Sequence, residues 1–143
     1  MALPVIKTYD AIDESIFSQA AELWNITGIG NPARGDSFEA VQKTLEHGGR
    51  LVMLYLEDTP IGTVWLTHDH RRLYIHHMAV HPEYQNKGYG RPLMDTAINY
   101  AVSLKLQAKL EVKADNLPAN KLYSHYEFEA LDGYRLLIRR KVD

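Results

Sequence analysis

The stretch that decides the fold is Met-Ala-Val-His-Pro-Glu-Tyr-Gln-Asn-Lys-Gly-Tyr-Gly-Arg, residues 78–91. It leads from a β-rich run through a turn with two glycines into a helical pattern that begins beside Pro92. Gly88 and Gly90 can adopt positive φ and carry no side chain, so successive backbone N–H groups can converge on an anion at the helix N-terminus. The stretch therefore predicts a phosphate-binding site.

Two other kinds of phosphate loop do not fit this chain. It contains no Gly-x-x-x-x-Gly-Lys-Ser/Thr run, and the dinucleotide pattern Gly-x-Gly-x-x-Gly fails because Leu93 stands where the third glycine belongs. A turn in which the glycines serve only the backbone is the alternative interpretation of this stretch.

Two segments of the chain resemble the same protein family, and the second match supports the phosphate interpretation of the first. Residues 85–90, Gln-Asn-Lys-Gly-Tyr-Gly, resemble the Gln/Arg-x-x-Gly-x-Gly/Ala pyrophosphate loop of the GNAT superfamily of acyl-CoA N-acyltransferases. Residues 109–128 resemble the second half of the same family's core, a strand followed by Asn-x-x-Ala and a helix with Leu-Tyr. Glu127 stands where the family usually has glycine. The matching residues of this segment are Asn116, Ala119, Leu122, Tyr123 and Phe128.

The resemblance covers residues 5–140 and implies acetyl-CoA as the acyl donor. In the family the strands that correspond to Leu73–Val80 and Leu106–Val112 run parallel but splay apart, so the pantetheine amides of the donor can pair with the exposed strand edge. The residues expected to contact the donor are Met78, Ala79, Val80, Gln85, Asn86, Lys87, Gly88, Tyr89, Gly90, Arg91, Asn116, Asn120 and Tyr123.

The resemblance also implies roles in the reaction. The Val80 N–H would face the thioester oxygen and stabilise the negative charge that develops there. Tyr123 matches the helix tyrosine near the sulfur and would act as the general acid. The chain has no cysteine, which closes a route through a cysteine acyl-enzyme and favours direct transfer to an amine.

The acceptor amine needs a base, because an amine with a pKa near 10.4 is only about 0.04% neutral at pH 7. Side chains alternate along a strand, so Tyr74 and His76 are expected on one face and His77 on the other. In the family a residue at the position of Tyr74 or His76 faces the acceptor, and both are base candidates, with His76 preferred because imidazole titrates near neutrality. A β-bulge in this strand would shift the parity.

Five histidines within residues 68–81 raise a metal site as an alternative. Their spacing does not favour it: His68 and His70 flank a turn, His76 and His77 are expected on opposite faces, and no carboxylate or cysteine joins them at a recurrent ligand interval. No metal is therefore expected.

The acceptor itself is left open. The resemblance places it against the connection of residues 24–36 and the final hairpin. That connection is glycine-rich and suits a mobile lid over a small amine or a peptide terminus. Arg34 within it is either a contact for an acceptor carboxylate or a solvated surface residue.

The length and composition of the chain are those of an ordinary globular protein domain. At 143 residues it is predicted to be a single domain over residues 1–143. A net charge of −2 and a pI near 6.4 argue against a nucleic-acid partner, and no apolar run approaches a membrane span. The expected location is the cytoplasm, and a monomer and a homodimer stay open.

The pattern of apolar positions predicts a mixed α/β fold in the order β-α-α-β-β-β-α-β-α-β-β, which is the GNAT order of a splayed mixed sheet flanked by helices. The last two strands, near Phe128–Leu131 and over Tyr134–Arg140, would form a hairpin around Asp132-Gly133. Besides the enzyme, two function classes stay open: a non-catalytic CoA-binding or sensor domain on the same fold, and an interaction domain without a cofactor.

Overall fold

The computed structural model describes residues 2–143, apart from the side chain of Pro32. The chain forms two compact units, one up to Glu111 and one over Val112–Asp143. The first contains strands β1 (Val5–Tyr9), β2 (Arg50–Leu56), β3 (Thr59–His68), β4 (Arg72–Val80) and β5 (Gln107–Leu110), and helices α1 (Glu14–Thr27), α2 (Phe38–Glu46) and α3 (Gly90–Leu104). The second contains helix α4 (Leu117–His125). Short 3-10 turns lie at Pro32–Arg34 and Pro82–Tyr84.

The five strands form one mixed sheet in the order β1-β2-β3-β4-β5. Neighbours are antiparallel from β1 to β4, whereas β4 and β5 are parallel. The β2–β3 hairpin turns at Glu57 and Asp58, which both adopt positive φ, 49° and 66°. Two left-handed residues give a turn whose twist matches that of the strands. The parallel pair is joined through α3, as a crossover requires.

The sheet is covered on both faces. Alternate residues of β2, together with Trp65 and Ala79, form one buried cluster with the apolar stripes of α1 and α2. On the opposite face α3 packs against β2 to β5 and buries its own apolar stripe: Leu93, Met94, Ala97 and Ala101. Two-sided burial explains why five consecutive residues of β2, Leu51 to Tyr55, are all buried.

Local capping signals place the helix ends. Asp13 accepts a hydrogen bond from the Ile16 N–H at 2.8 Å and begins α1, and Ser37 accepts one from the Ala40 N–H at 3.1 Å and begins α2. Gly28, at φ 73°, ends α1 in the left-handed conformation. The sequence predicts a helix start at Asp36 and Ser37 with Glu39 and a helix stop at Gly28 and Gly30, and the structure confirms Ser37 as the start and Gly28 as the stop.

The predicted mixed α/β fold is confirmed, but its last two strands are not found. A turn forms at Asp132-Gly133, while residues 128–131 and 134–140 carry no strand. The run 134–140 has strand-forming residues, yet Tyr134, Leu136 and Leu137 are exposed. β propensity produces a strand only where the backbone is paired, and residues 134–140 are not part of the described five-stranded sheet.

The other predicted elements differ from the structure mainly at their ends. β5 is shorter than the predicted Leu106–Val112, and β3 is longer than the β-rich run Ile61–Thr67, from which the sequence predicts a strand. The prediction of one domain over residues 1–143 stays a prediction. Within residues 2–143, every helix is too short or too polar to cross a bilayer.

Candidate active site

A β-bulge in β4 shapes the candidate site. Thr63 faces Ala79 and Trp65 faces His76, so two steps along β3 correspond to three steps along β4. The extra residue lies at His77, whose φ is 50°. A bulge of this kind bends the strand and re-aims the side chains that follow it.

Because of the bulge, His76 and His77 do not lie on opposite faces of the sheet as predicted. The rings of His76 and His77 lie 5.3 Å and 5.7 Å from the ring of Trp65, which belongs to the cluster under α1 and α2. His77 is therefore on the same side of the sheet as His76, and the expectation of opposite faces is wrong. The extra residue moves His77 from the α3 face to the α1 face.

His76, the preferred base candidate, is a partly buried residue whose surroundings favour the neutral form. Its Nε2 lies 2.8 Å from the Thr67 hydroxyl oxygen. Burial, followed by the neighbouring His77, lowers the pKa of His76 from 6.5 to about 4. An imidazole with this pKa is a weak proton acceptor at pH 7, so the geometry favours a structural role for it.

Tyr74, the second candidate, stacks on His76 with ring centroids 6.3 Å apart. Its hydroxyl donates to Oδ2 of Asp69 at 3.3 Å, in the turn that precedes β4. The hydroxyl is thus directed toward the start of the strand, whereas Val80 lies at its end. This orientation does not favour Tyr74 as a base beside Val80.

His77 has a partner that sequence reasoning missed. Its Nε2 lies 2.8 Å from Oδ1 of Asp36, in the connection between α1 and α2. The side chains are 21% and 12% exposed, so the pair is largely shielded yet reachable. The sequence predicts Asp36 only as part of a helix start, and no local pattern links two residues 41 positions apart.

The edge of β4 fits the proposed contact with a pantetheine arm. Pairing with β5 ends at Ile75 and Leu110, while β4 continues to Val80. The His81 N–H donates to the Ile61 carbonyl at 2.8 Å, so by antiparallel alternation the backbone groups of Val80 point away from β3. The Val80 carbonyl instead accepts a hydrogen bond from Gln85 Nε2 at 2.8 Å. Met78 and Ala79 lie on the same stretch.

The glycine loop connects this edge to α3. Asn86 and Gly88 are left-handed, with φ of 64° and 85°, whereas Gly90 is the first residue of α3 and takes a helical conformation. Only one of the two glycines therefore uses positive φ. A Cβ at Gly88 would meet no atom within 4 Å, so the space beside Gly88 is open, and the N-cap residue of α3, Tyr89, makes no side-chain cap hydrogen bond. Both features suit an anion on the helix N-terminus.

Aromatic side chains support the loop from beneath. Tyr89 packs edge-on against Tyr84 with ring centroids 6.2 Å apart, and the Lys87 ammonium lies 6.0 Å above the same Tyr84 ring. Lys87 is exposed, and Arg91 lies in the first turn of α3. The loop thus presents two basic residues beside its backbone N–H groups.

The second unit contains the remaining predicted residues. Asn116 caps α4 by accepting the Ala119 N–H at 3.2 Å. Asn120 donates to the carbonyls of Lys113 and Asn116 at 3.0 Å and 2.8 Å, so both amide side chains brace the turn that precedes the helix. Tyr123 packs edge-on against Phe128, and burial raises its pKa.

In the part of the chain that the structure describes, no three His, Cys, Asp or Glu side chains come together as metal ligands.

A shallow cleft of about 220 Å³ lies beside His81, directly after β4, and the sequence does not predict it. Its lining residues are Gln19, Glu22, Leu23, Ile26, Thr59, Pro60 and His81.

Comparison with known proteins agrees with this architecture. The profile of the Acetyltransferase (GNAT) family matches residues 16–128. The chain therefore belongs to the GNAT acetyltransferase family. Among curated proteins, no sequence matches it significantly.

Solved structures of GNAT proteins share the fold. A GNAT-family acetyltransferase from Streptococcus pneumoniae is 21% identical with a TM-score of 0.75, covering 97% of this chain and 100% of its own. A predicted acetyltransferase from Clostridium acetobutylicum, solved with acetyl-CoA, is 17% identical with a TM-score of 0.74 and coverages of 95% and 96%. An aminoglycoside N-acetyltransferase in complex with a CoA bisubstrate analogue is 12% identical with a TM-score of 0.75 and coverages of 97% and 98%.

Proposed function

We propose that this protein is an N-acetyltransferase that transfers an acetyl group from acetyl-CoA directly to a primary amine. The observation that carries the proposal is the end of β4. There the strand runs past its pairing with β5, its last backbone groups turn away from β3, and an open left-handed loop follows that leads into α3. A strand edge for amides beside a helix N-terminus for phosphates suits a pantetheine diphosphate.

The donor contacts follow from these features. Backbone N–H groups of residues 85–91 hold the pyrophosphate, with Lys87 and Arg91 adding positive charge. Met78, Ala79 and Val80 offer the strand edge to the pantetheine amides. Asn116 and Asn120 are assigned to the donor by the family resemblance, and their local hydrogen bonds indicate that they act by shaping the backbone before α4.

Acetyl-CoA supplies the acetyl group as a thioester when it is bound. The Val80 N–H then faces the carbonyl oxygen, and one such donor contributes about 3 kcal/mol to stabilising the charge that develops on it. Tyr123 donates a proton toward the departing sulfur, an assignment that rests on the family resemblance. Burial raises the pKa of Tyr123, so its hydroxyl carries its proton at neutral pH.

The acceptor is proposed to be a small-molecule or peptide amine. One structural neighbour is an aminoglycoside N-acetyltransferase, which supports a small-molecule amine for this chain. Glu22 is one of the residues that line the cleft beside His81, and its negative charge would attract an ammonium group.

A non-catalytic CoA-binding domain is the second candidate, because the surroundings of His76 and the orientation of Tyr74 do not favour either residue as the general base. Both candidates bind acetyl-CoA, but only the enzyme releases thiol when an amine is added. Titration with acetyl-CoA, followed by thiol release over a panel of amines, separates them. Failure to bind acetyl-CoA would refute both.

A matched pair of variants tests the phosphate loop. Gly88→Val should abolish acetyl-CoA binding in a folded protein, because the side chain enters the space that the phosphates would occupy. Gly133→Val is the control: Gly133 has a similar φ, 88° against 85°, and equally open surroundings, but it lies outside the loop. Retained binding in a folded Gly88→Val protein, or equal loss in both variants, would contradict the assignment.

A further inference from the structure

The contact between His77 and Asp36 has a defined chemical polarity. A neutral imidazole that places Nε2 2.8 Å from a carboxylate oxygen must carry its proton on Nε2 and donate it to that carboxylate. The other ring nitrogen, Nδ1, is then unprotonated. The carboxylate thus sets the tautomer, and Nδ1 becomes the proton acceptor of the pair.

The surroundings hold this imidazole in place. The ring of His77 lies 5.1 Å from that of Trp24 and 5.7 Å from that of Trp65. The titratable groups that face it are Asp36 and His76, whose ring is 6.5 Å away. Asp36 is fixed in turn, because its second oxygen accepts the Asn31 N–H at 2.6 Å.

The backbone at His77 is held in an unfavourable conformation. A non-glycine residue at φ 50° is strained, and the surrounding structure must maintain that conformation. Without the bulge, His77 would point to the α3 face, away from Asp36. The strain therefore serves to bring this imidazole to the carboxylate of the α1–α2 connection.

We infer that Asp36 and His77 form the proton-accepting dyad for the acceptor amine, with His77 Nδ1 as the catalytic base and Asp36 as the positioning residue. The inference rests on the proposed acetyltransferase function. His77 precedes Val80 by three residues, about 10 Å or less along the strand, so the amine proton reaches Nδ1 directly or through a bridging water.

In the proposed reaction, His77 Nδ1 takes one proton from the ammonium form of the acceptor, and Asp36 stabilises the imidazolium. The neutral nitrogen attacks the carbonyl carbon, a C–N bond forms, and the C–S bond breaks with its electron pair on sulfur. Tyr123 gives the sulfur a proton and regains one from the nitrogen. An ammonium and a thioester thus yield an amide, a thiol and one proton, which His77 releases to solvent.

The test uses His77→Gly, because glycine adopts φ 50° without strain and the variant should fold. Its kcat/KM for thiol release at pH 7 should fall by roughly 10²–10⁴. The loss should shrink as the pH rises toward the pKa of the acceptor amine, because more of the amine is then neutral without help from a base. Added imidazole should restore part of the rate. Acetyl-CoA affinity should be unchanged. His47→Asn, an exposed histidine at the end of α2, is the control and should behave as wild type.

Asp36→Asn tests the positioning role. It keeps a side chain of the same size but removes the negative charge, so kcat should fall, and the acidic limb of the pH profile should move to lower pH. An unchanged rate in His77→Gly, or a loss that is equal at every pH and indifferent to imidazole, would overturn the dyad while leaving the acetyltransferase in place. A wild-type protein that binds acetyl-CoA but releases no thiol with any amine would refute the proposed function, and the dyad with it.

Discussion

His76 should make the stability of the protein depend on pH, and His76→Gln should remove that dependence. The pKa of His76 is about 4 in the folded protein against 6.5 for a free histidine. Between these two values the unfolded chain binds more protons than the folded one, so stability falls as the pH falls. A difference of roughly 2.5 pKa units corresponds to about 3 kcal/mol at 1.36 kcal/mol per unit.

The prediction is checked by urea unfolding at a series of pH values between 7 and 4, followed by tryptophan fluorescence. Trp65 contacts His76, and Trp24 stacks on Trp65, so the signal reports the part of the fold that contains the histidine. Glutamine can keep a hydrogen bond to Thr67 but does not titrate. The free energy of unfolding of wild type, minus that of His76→Gln, should fall by about 3 kcal/mol from pH 7 to pH 4. A difference that stays constant with pH would refute the burial argument.

Two further predictions concern α4. Tyr123→Phe should lower kcat for thiol release by roughly 100-fold and leave acetyl-CoA affinity nearly unchanged, because the hydroxyl acts only as the sulfur departs; an unchanged kcat would exclude Tyr123 as the acid. Glu127→Gly should raise the free energy of unfolding by about 1 kcal/mol in denaturant titration, because Glu127 has φ 67°, a left-handed conformation that glycine adopts without strain. Ser124→Gly, within the helix, is the matched control and should lower it by a similar amount; a destabilised Glu127→Gly would contradict the strain argument.

Sequence reasoning succeeded where the determining interactions are local. The starts of α2 and α4 depend on Ser37 and Asn116, whose side chains bond to backbone N–H groups three residues on. The loop before α3 depends on the conformational freedom of Gly88. Such signals lie within a few residues of the feature that they predict.

Sequence reasoning failed where the outcome depends on a distant partner. The position of the bulge at His77 follows from the register between β3 and β4, and it places His77 on the face of His76 instead of the predicted opposite face. The partner of that histidine, Asp36, lies 41 positions earlier. Residues 134–140 show the converse case, because their strand-like pattern is local and the pairing that a strand also needs does not form.

The departure at Glu127 has a physical explanation in the structure. After α4 the Phe128 N–H bonds to the Tyr123 carbonyl and the Glu127 N–H to that of Ser124, both at 3.0 Å, and Glu127 itself is left-handed. This is the helix ending that glycine satisfies without strain, which accounts for the glycine that related proteins have there. The chain keeps the ending despite a glutamate because the two hydrogen bonds and the packing of Phe128 on Tyr123 oppose the backbone strain. Through the same ending Phe128 packs on Tyr123, so the conformation at residue 127 bears on the proposed general acid.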